Sequence, residues 1–239
     1  MVYSEKFFVG FSDVSFDLGI TNTAIIRLFE DVCCLHGEAV GDGIFDTDGR
    51  WFMTVYHVKV LKRPKYGEWV TAKTWSREMK GVSASREFEL YDQSGELAVI
   101  ALTNWVRMNS KTGRPERMTA EDFAKYGSEP ERRNFEDPWA VKLRDISEPL
   151  FERELQIGRS LIDPNRHVNN IYYLDLAVDT LPDNKELLAD CDEFEITYRK
   201  AIAYGNSVKC LYSEDEKSCS VAIKSLDMSE TFAIVKLYK

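Results

Sequence analysis

Three side chains able to hydrolyse an ester stand at alternate positions in Asp163-Pro164-Asn165-Arg166-His167-Val168-Asn169-Asn170. An imidazole, with an ordinary pKa of about 6.5, takes a proton from water at physiological pH. A carboxylate can orient it, and an amide can hold a water or a carbonyl oxygen. If Pro164 keeps the stretch extended, Asp163, Asn165 and His167 project to a common side. A following helix would add free backbone N–H groups near residue 168 for a developing oxyanion. The same residue types are ordinary turn and cap residues. On spacing alone Asn169 and Asn170 read as caps, while for Asp163, Asn165 and His167 both readings stand. The other two histidines read as structural: His57 lies inside an apolar strand and His36 at a helix end.

The elements that must position this segment occur twice. Ile25, Leu28, Phe29, Val32 and Leu35 share one face of a first helix that Gly37 is expected to stop. Ile171, Leu174, Ala177, Val178 and Leu181 form a matching stripe before Pro182. Strand patterns follow each helix, at 51–61, 69–75, 82–91 and 96–108, then at 193–203, 207–212, 218–226 and 231–238. Short turns at 92–95 and 227–230 favour antiparallel hairpins, and KYGEWV and AYGNSV occupy matching corners. Strand 96–108 is apolar on both parities and is placed centrally, covered on both faces. One helix and an antiparallel sheet, repeated, make an α+β internal duplication. Four of seven prolines fall between residues 110 and 150, marking a connection. The halves are drawn as 1–125, a linker 126–147, and 148–239.

Composition narrows the function. The 239 residues are 44% apolar and 30% charged, enough for a real core. With 31 basic and 40 acidic residues the net charge is −9, which disfavours nucleic acid and anionic membranes as partners. The longest apolar run, Leu97–Leu102, is far short of a membrane span, and the N-terminus lacks a signal peptide's pattern. Five cysteines (Cys33, Cys34, Cys191, Cys210 and Cys219) form no CxxC pair and read as buried thiols in a reducing cytoplasm. No GxSxG elbow, Walker loop, GxGxxG fingerprint or HExxH helix is present. No metal or organic cofactor is expected, since hydrolysis needs only water. Residues 59–117 carry twelve basic and seven acidic side chains, read either as a solvated face or as a docking patch for an acidic protein.

The chain resembles the plant and bacterial acyl-carrier-protein thioesterases, which are tandem hotdog proteins. The resemblance is carried by TAIIRLFEDVCCLHGEAVGDG, RWFMTVYHVKVLKRPKYGEWVTAKTW, NWVRMNSKTGRPERM, DPNRHVNNIYYLDLAVDTLP and FEITYRKAIAYGNSV. It implies two long helices, each wrapped by a curved antiparallel sheet, and hydrolysis of fatty acyl-carrier protein to free acid and carrier thiol. It also implies an acyl pocket in the first repeat and catalysis by Asp163, Asn165 and His167 in the second. The family commonly has Glu-Cys where this chain has Ala201 and Ile202. Glu195 shares Ala201's parity but lies six residues away, roughly 20 Å at ~3.3 Å per residue, too far to substitute. Hydrolysis of acyl-coenzyme A, and a non-catalytic acyl- or carrier-binding module, are the alternative readings. A fused pair of repeats already mimics a dimer, so monomer and homodimer are both open.

Overall fold

The computed structural model describes residues 1–43 and 46–239. The chain divides into two compact units, Met1–Ala140 and Val141–Lys239. The first contains β1 (Tyr3–Phe8), α1 (Asn22–Ala39), β2 (Gly49–Val60), β3 (Trp69–Lys80), β4 (Ser83–Tyr91), β5 (Leu97–Asn109) and the short α2 (Ala120–Tyr126). The second contains β6 (Phe151–Gln156), α3 (Tyr172–Val178), β7 (Glu193–Tyr198), β8 (Ser207–Glu214), β9 (Ser218–Ser225) and β10 (Thr231–Tyr238).

The duplication is exact in topology. Strands lie in the order β1-β3-β4-β5-β2 in the first unit and β6-β8-β9-β10-β7 in the second, with each neighbour antiparallel. The architecture is therefore α+β, two repeats of a helix on an antiparallel sheet. In the first, Ile25, Phe29 and Val32 are buried, and Phe29 packs on Phe88 of β4 with ring centres 5.0 Å apart. In the second, Tyr173, Leu174 and Ala177 are buried with Phe194, Ile196, Ile223 and Val235 of the sheet. Burying these side chains is the main favourable contribution to each unit, at roughly 1.5–3 kcal/mol per large apolar side chain.

Several boundaries differ from the sequence reading. Gly37 does not stop α1, which runs to Ala39; Gly41, at φ +69°, takes the left-handed position that ends it. Leu35 is 40% exposed, so the apolar stripe narrows in the last turns. The second stripe forms only two helical turns before Asp179, followed by a 3-10 segment at Asp183–Asp190. Each repeat also begins with a strand missed in the sequence. β1 and β6 are edge strands of six residues: β1 exposes Ser4, Lys6 and Phe8, and β6 exposes three successive charges at 152–154, so neither shows a clean apolar parity. β7 ends at Tyr198, five residues before its pattern does.

The proline-rich connection is packed, not loose. Asn104 Nδ2 donates to the Pro138 carbonyl (2.8 Å) and Asn104 Oδ1 accepts the Ala140 N–H (2.8 Å), so β5 is covered on its outer face as expected. In the second unit the Leu143 N–H donates to Thr197 Oγ1 (2.9 Å), and Leu143 and Ile146 pack on Leu211, Ala222 and Ile234.

Candidate active site

The segment Asp163–His167 is a tight turn, not an extended run. The Asp163 N–H donates to the His167 carbonyl (2.8 Å) and the Arg166 N–H to the Asp163 carbonyl (3.0 Å), with Arg166 at φ +66°. A bridge between Ile162 and Val168 closes the turn. Proline accounts for the difference: its fixed φ suits the first corner of a turn as well as an extended strand.

The turn does bring the three candidates together. The Asp163 carboxylate is half-buried; it accepts the Asn165 Nδ2–H at 3.1 Å and the His167 backbone N–H at 3.2 Å. It thus orients the main chain and the amide, where a contact with the ring was expected. The side chains of Asn165 and His167 are exposed, leaving the imidazole facing water and one N–H of the Asn165 amide free for an incoming oxygen.

The expected oxyanion donors near residue 168 are engaged. The Val168 N–H donates to the Ile202 carbonyl (2.9 Å) and the Asn169 N–H to the Leu161 carbonyl (2.9 Å). Asn169 is a cap, as its type suggests: its Oδ1 accepts the Ile171 N–H at 3.0 Å. Chain reversal before α3 therefore uses these groups to hold the loop.

The first repeat builds the same loop with different side chains. Bridge Val14–Ile20 matches Ile162–Val168, Leu18 at φ +63° matches Arg166, and bridge Gly19–Lys65 matches His167–Ala203. Ser15, Asp17 and Gly19 thus stand where the second repeat has Asp163, Asn165 and His167. The two corners agree as well, with Gly67 at φ +87° and Gly205 at +86°. In the first repeat the Arg63 side chain lies over Gly19, where an added Cβ would come within 2.8 Å of its Cδ, and its guanidinium donates to the Ile20 carbonyl (2.7 Å). A side chain at Gly19 would require Arg63 to move. The second repeat has Ala201 at the position of Arg63, so no long side chain stands at that place.

The remaining candidates behave as structural groups. His36 is fully buried, with Nδ1 2.9 Å from an Arg86 guanidinium nitrogen and its ring stacked on Tyr3. Burial, then the Arg86 charge, pushes its pKa down to about 3, so it stays neutral. The His57 ring packs on Phe135. All five cysteines are free; Cys191, Cys210 and Cys219 are buried as expected, whereas Cys33 is half-buried and Cys34 exposed, and burial pushes Cys210 up to about 11, which suits an inert thiol. The basic window is not one patch: Arg77, Arg86 and Arg107 are buried, whereas Lys62 pairs with Asp92 and Glu96, and Lys65 with Asp17. Strand alternation sends its charges to opposite faces.

Two family descriptions cover this chain: the acyl-ACP thioesterase N-terminal domain matches residues 1–126, and the C-terminal domain matches residues 145–236. The chain belongs to the acyl-ACP thioesterase family. Its relatives include an oleoyl-acyl carrier protein thioesterase of Arabidopsis thaliana, 27% identical over 81% of this chain and 58% of that one. Another is a dodecanoyl-[acyl-carrier-protein] hydrolase of Cinnamomum camphora, 25% identical over 84% of this chain and 56% of that one. The chain therefore spans little more than half the length of these plant relatives. Among solved structures, an acyl-ACP thioesterase from Bacteroides thetaiotaomicron superposes with a TM-score of 0.86 at 21% identity, covering 100% of this chain and 98% of that one. The 12:0-ACP thioesterase of Umbellularia californica gives 0.83 at 21% identity, covering 100% and 97%. These likenesses carry the tandem hotdog fold of the thioesterase family over the whole chain. No helix among the described residues is long and apolar enough to cross a membrane.

Proposed function

We propose that the chain is a thioesterase that hydrolyses fatty acyl-acyl carrier protein, releasing a free fatty acid and the carrier thiol. One observation carries the site: both repeats build the same pre-helix turn, and the second alone places a carboxylate, an amide and an imidazole on it. Membership of the acyl-ACP thioesterase family supports the substrate class.

In this reading His167 Nδ1 or Nε2 takes a proton from a water that attacks the thioester carbonyl carbon. The Asn165 amide donates its free N–H to the carbonyl oxygen as negative charge develops there. Asp163 holds the His167 main chain and the Asn165 side-chain amide, and stabilises the imidazolium through its field. Collapse of the tetrahedral intermediate breaks the C–S bond, and the imidazolium returns the proton to the leaving thiolate. No step calls for a metal or organic cofactor. The five free thiols favour a reducing compartment, such as the cytoplasm.

The test is release of free fatty acid from a panel of acyl-carrier proteins and the matching acyl-coenzyme A esters. Release confined to the carrier-protein panel supports the reading. Equal release from both makes the chain a general acyl-thioesterase. Exchange of the exposed Arg114 and Arg117 for serine separates the two further, because coenzyme A has no protein surface to dock. Retention of a bound acyl chain with no released acid favours a binding module, the reading that Ala201 in place of the family glutamate would explain.

Ala201 can be tested directly. The His167–Ala203 bridge puts residue 201 diagonally across from residue 167 on one face of the ladder. A carboxylate there lies beside the imidazole and favours its protonated form. Ala201→Glu is expected to move the acidic limb of the kcat profile to higher pH, and a profile unchanged in both height and position would show that residue 201 does not face the base.

A further inference from the structure

Comparison of the repeats isolates one buried hydroxyl. Tyr173 is 2% exposed and lies at the start of α3, six residues after His167. Its oxygen accepts the Ile202 N–H at 3.0 Å, and its O–H faces the Lys200 carbonyl at 3.5 Å. The ring meets Tyr198 edge-on at 5.4 Å, and the Tyr198 hydroxyl donates to the Asn170 carbonyl at 3.0 Å. The Ile202 carbonyl in turn accepts the Val168 N–H at 2.9 Å, and Ala203 bridges His167. The Tyr173 hydroxyl is therefore linked, through the single residue Ile202, to the backbone beside the imidazole.

Counting along the equivalent loops, the first repeat has Ile25 in place of Tyr173 and Pro64 in place of Ile202. Proline has no N–H to satisfy, and isoleucine has no oxygen to offer. The next bond is nevertheless kept: the Ile20 N–H donates to the Pro64 carbonyl at 2.9 Å. An Ile–Pro pair thus meets the structural need of this corner. The second repeat instead holds a tyrosine hydroxyl and an N–H donor in a buried place, where each needs the other.

We propose that Tyr173 is a positioning residue for hydrolysis: its hydroxyl locks segment 200–203 to α3 and thereby sets the height of His167 above the helix. This rests on the reading of His167 as the base. The hydroxyl touches no reacting atom; it acts through the backbone N–H and carbonyl of Ile202 and the Val168 N–H.

The test uses the full chain with a fatty acyl-carrier protein as substrate and three variants. His167→Ala checks the site itself. Tyr173→Phe removes the hydroxyl alone and is expected to lower kcat at least about tenfold, because small misplacements of a catalytic group are costly. KM stays within about twofold, since substrate binding is not touched, and Tm falls by about 2–4 °C for one lost hydrogen bond. The double variant Tyr173→Ile with Ile202→Pro copies the first repeat's corner and is expected to restore Tm but not kcat. Wild-type kcat in Tyr173→Phe, or full recovery of kcat in the double variant, would show a purely structural hydroxyl and overturn the proposal. Wild-type kcat in His167→Ala would instead sink the site reading, and with it this one.

Discussion

Under the proposed function, replacing His167 with alanine is expected to lower kcat for fatty acyl-carrier-protein hydrolysis by about 10²- to 10⁴-fold, the usual contribution of a positioned acid–base group. The loss falls on kcat because the same imidazole is asked to take the water's proton and to return it to the thiolate. KM changes little, since the side chain lies at the exposed tip of the turn and carries no acyl contact in this reading. Folding is spared for the same reason: what holds the turn is the His167 backbone, through its bond to Asp163 and its pairing with Ala203, and alanine keeps both. Asp163→Asn is the matching control. The amide oxygen can still accept the His167 N–H, so the turn survives while the charge that stabilises the imidazolium is lost. Both variants should remain folded by circular dichroism with their fatty-acid release strongly reduced. Wild-type kcat in the two together would place the chemistry elsewhere.

Arg77→Met is expected to destabilise the first unit by about 3–5 kcal/mol, the usual cost of leaving one half of a buried ion pair. Arg77 is 4% and Glu87 0% exposed, and a guanidinium nitrogen lies 2.7 Å from the carboxylate. The pair is covered by the proline-rich connection: Arg77 also donates to the Phe135 and Glu136 carbonyls, and the second Glu87 oxygen accepts the Asn134 N–H at 2.6 Å. Removing Arg77 therefore strips two carbonyls of their donor as well as a charge of its partner. Glu87→Gln should cost less, because Arg77 keeps both carbonyls and the amide oxygen can still accept from Asn134.

The deficit should depend on pH in a stated direction. Burial already raises the Glu87 pKa above its ordinary 4.5, with the Asn134 N–H and Arg77 opposing it. A carboxyl whose folded pKa is raised contributes stability below its unfolded value and loses it as pH rises through the folded one. Loss of Arg77 widens that window upward. The gap between Arg77→Met and wild type is then largest near neutral pH and narrows as the solution approaches the ordinary glutamate value. Urea midpoints measured across this range decide it; a gap that is constant or below about 1 kcal/mol would mean the pair does not hold the connection down.

Sequence periodicity carried a large part of the fold because both repeats bury one helix face on one sheet face. Phe29 and Val32, or Leu174 and Ala177, fall on their stripes for that reason, and β5 reads as doubly covered because its two parities meet different layers. The edge strands β1 and β6 escaped, since a six-residue strand with polar and charged residues breaking its apolar parity carries too little signal. Gly37 misled because glycine stops a helix only where the chain needs a left-handed residue, and here that place is Gly41.

The candidate site divides in the same way. Residue type and spacing left Asp163, Asn165 and His167 open between turn residues and a site, and the family resemblance made them the catalytic candidates. Whether they stand on a strand or a turn depended on long-range partners, the Leu161 and Ile202 carbonyls that take the N–H groups of Asn169 and Val168. Tyr173 could not be nominated from the sequence, since a tyrosine within an apolar helix looks like core until Ile202, 29 residues away, is seen to need its oxygen. Local sequence thus supplied a candidate chemistry and its place in the chain. Only the tertiary structure decided which hydrogen bonds remain free to perform it, because those are settled by the residues that arrive from the other side of the sheet.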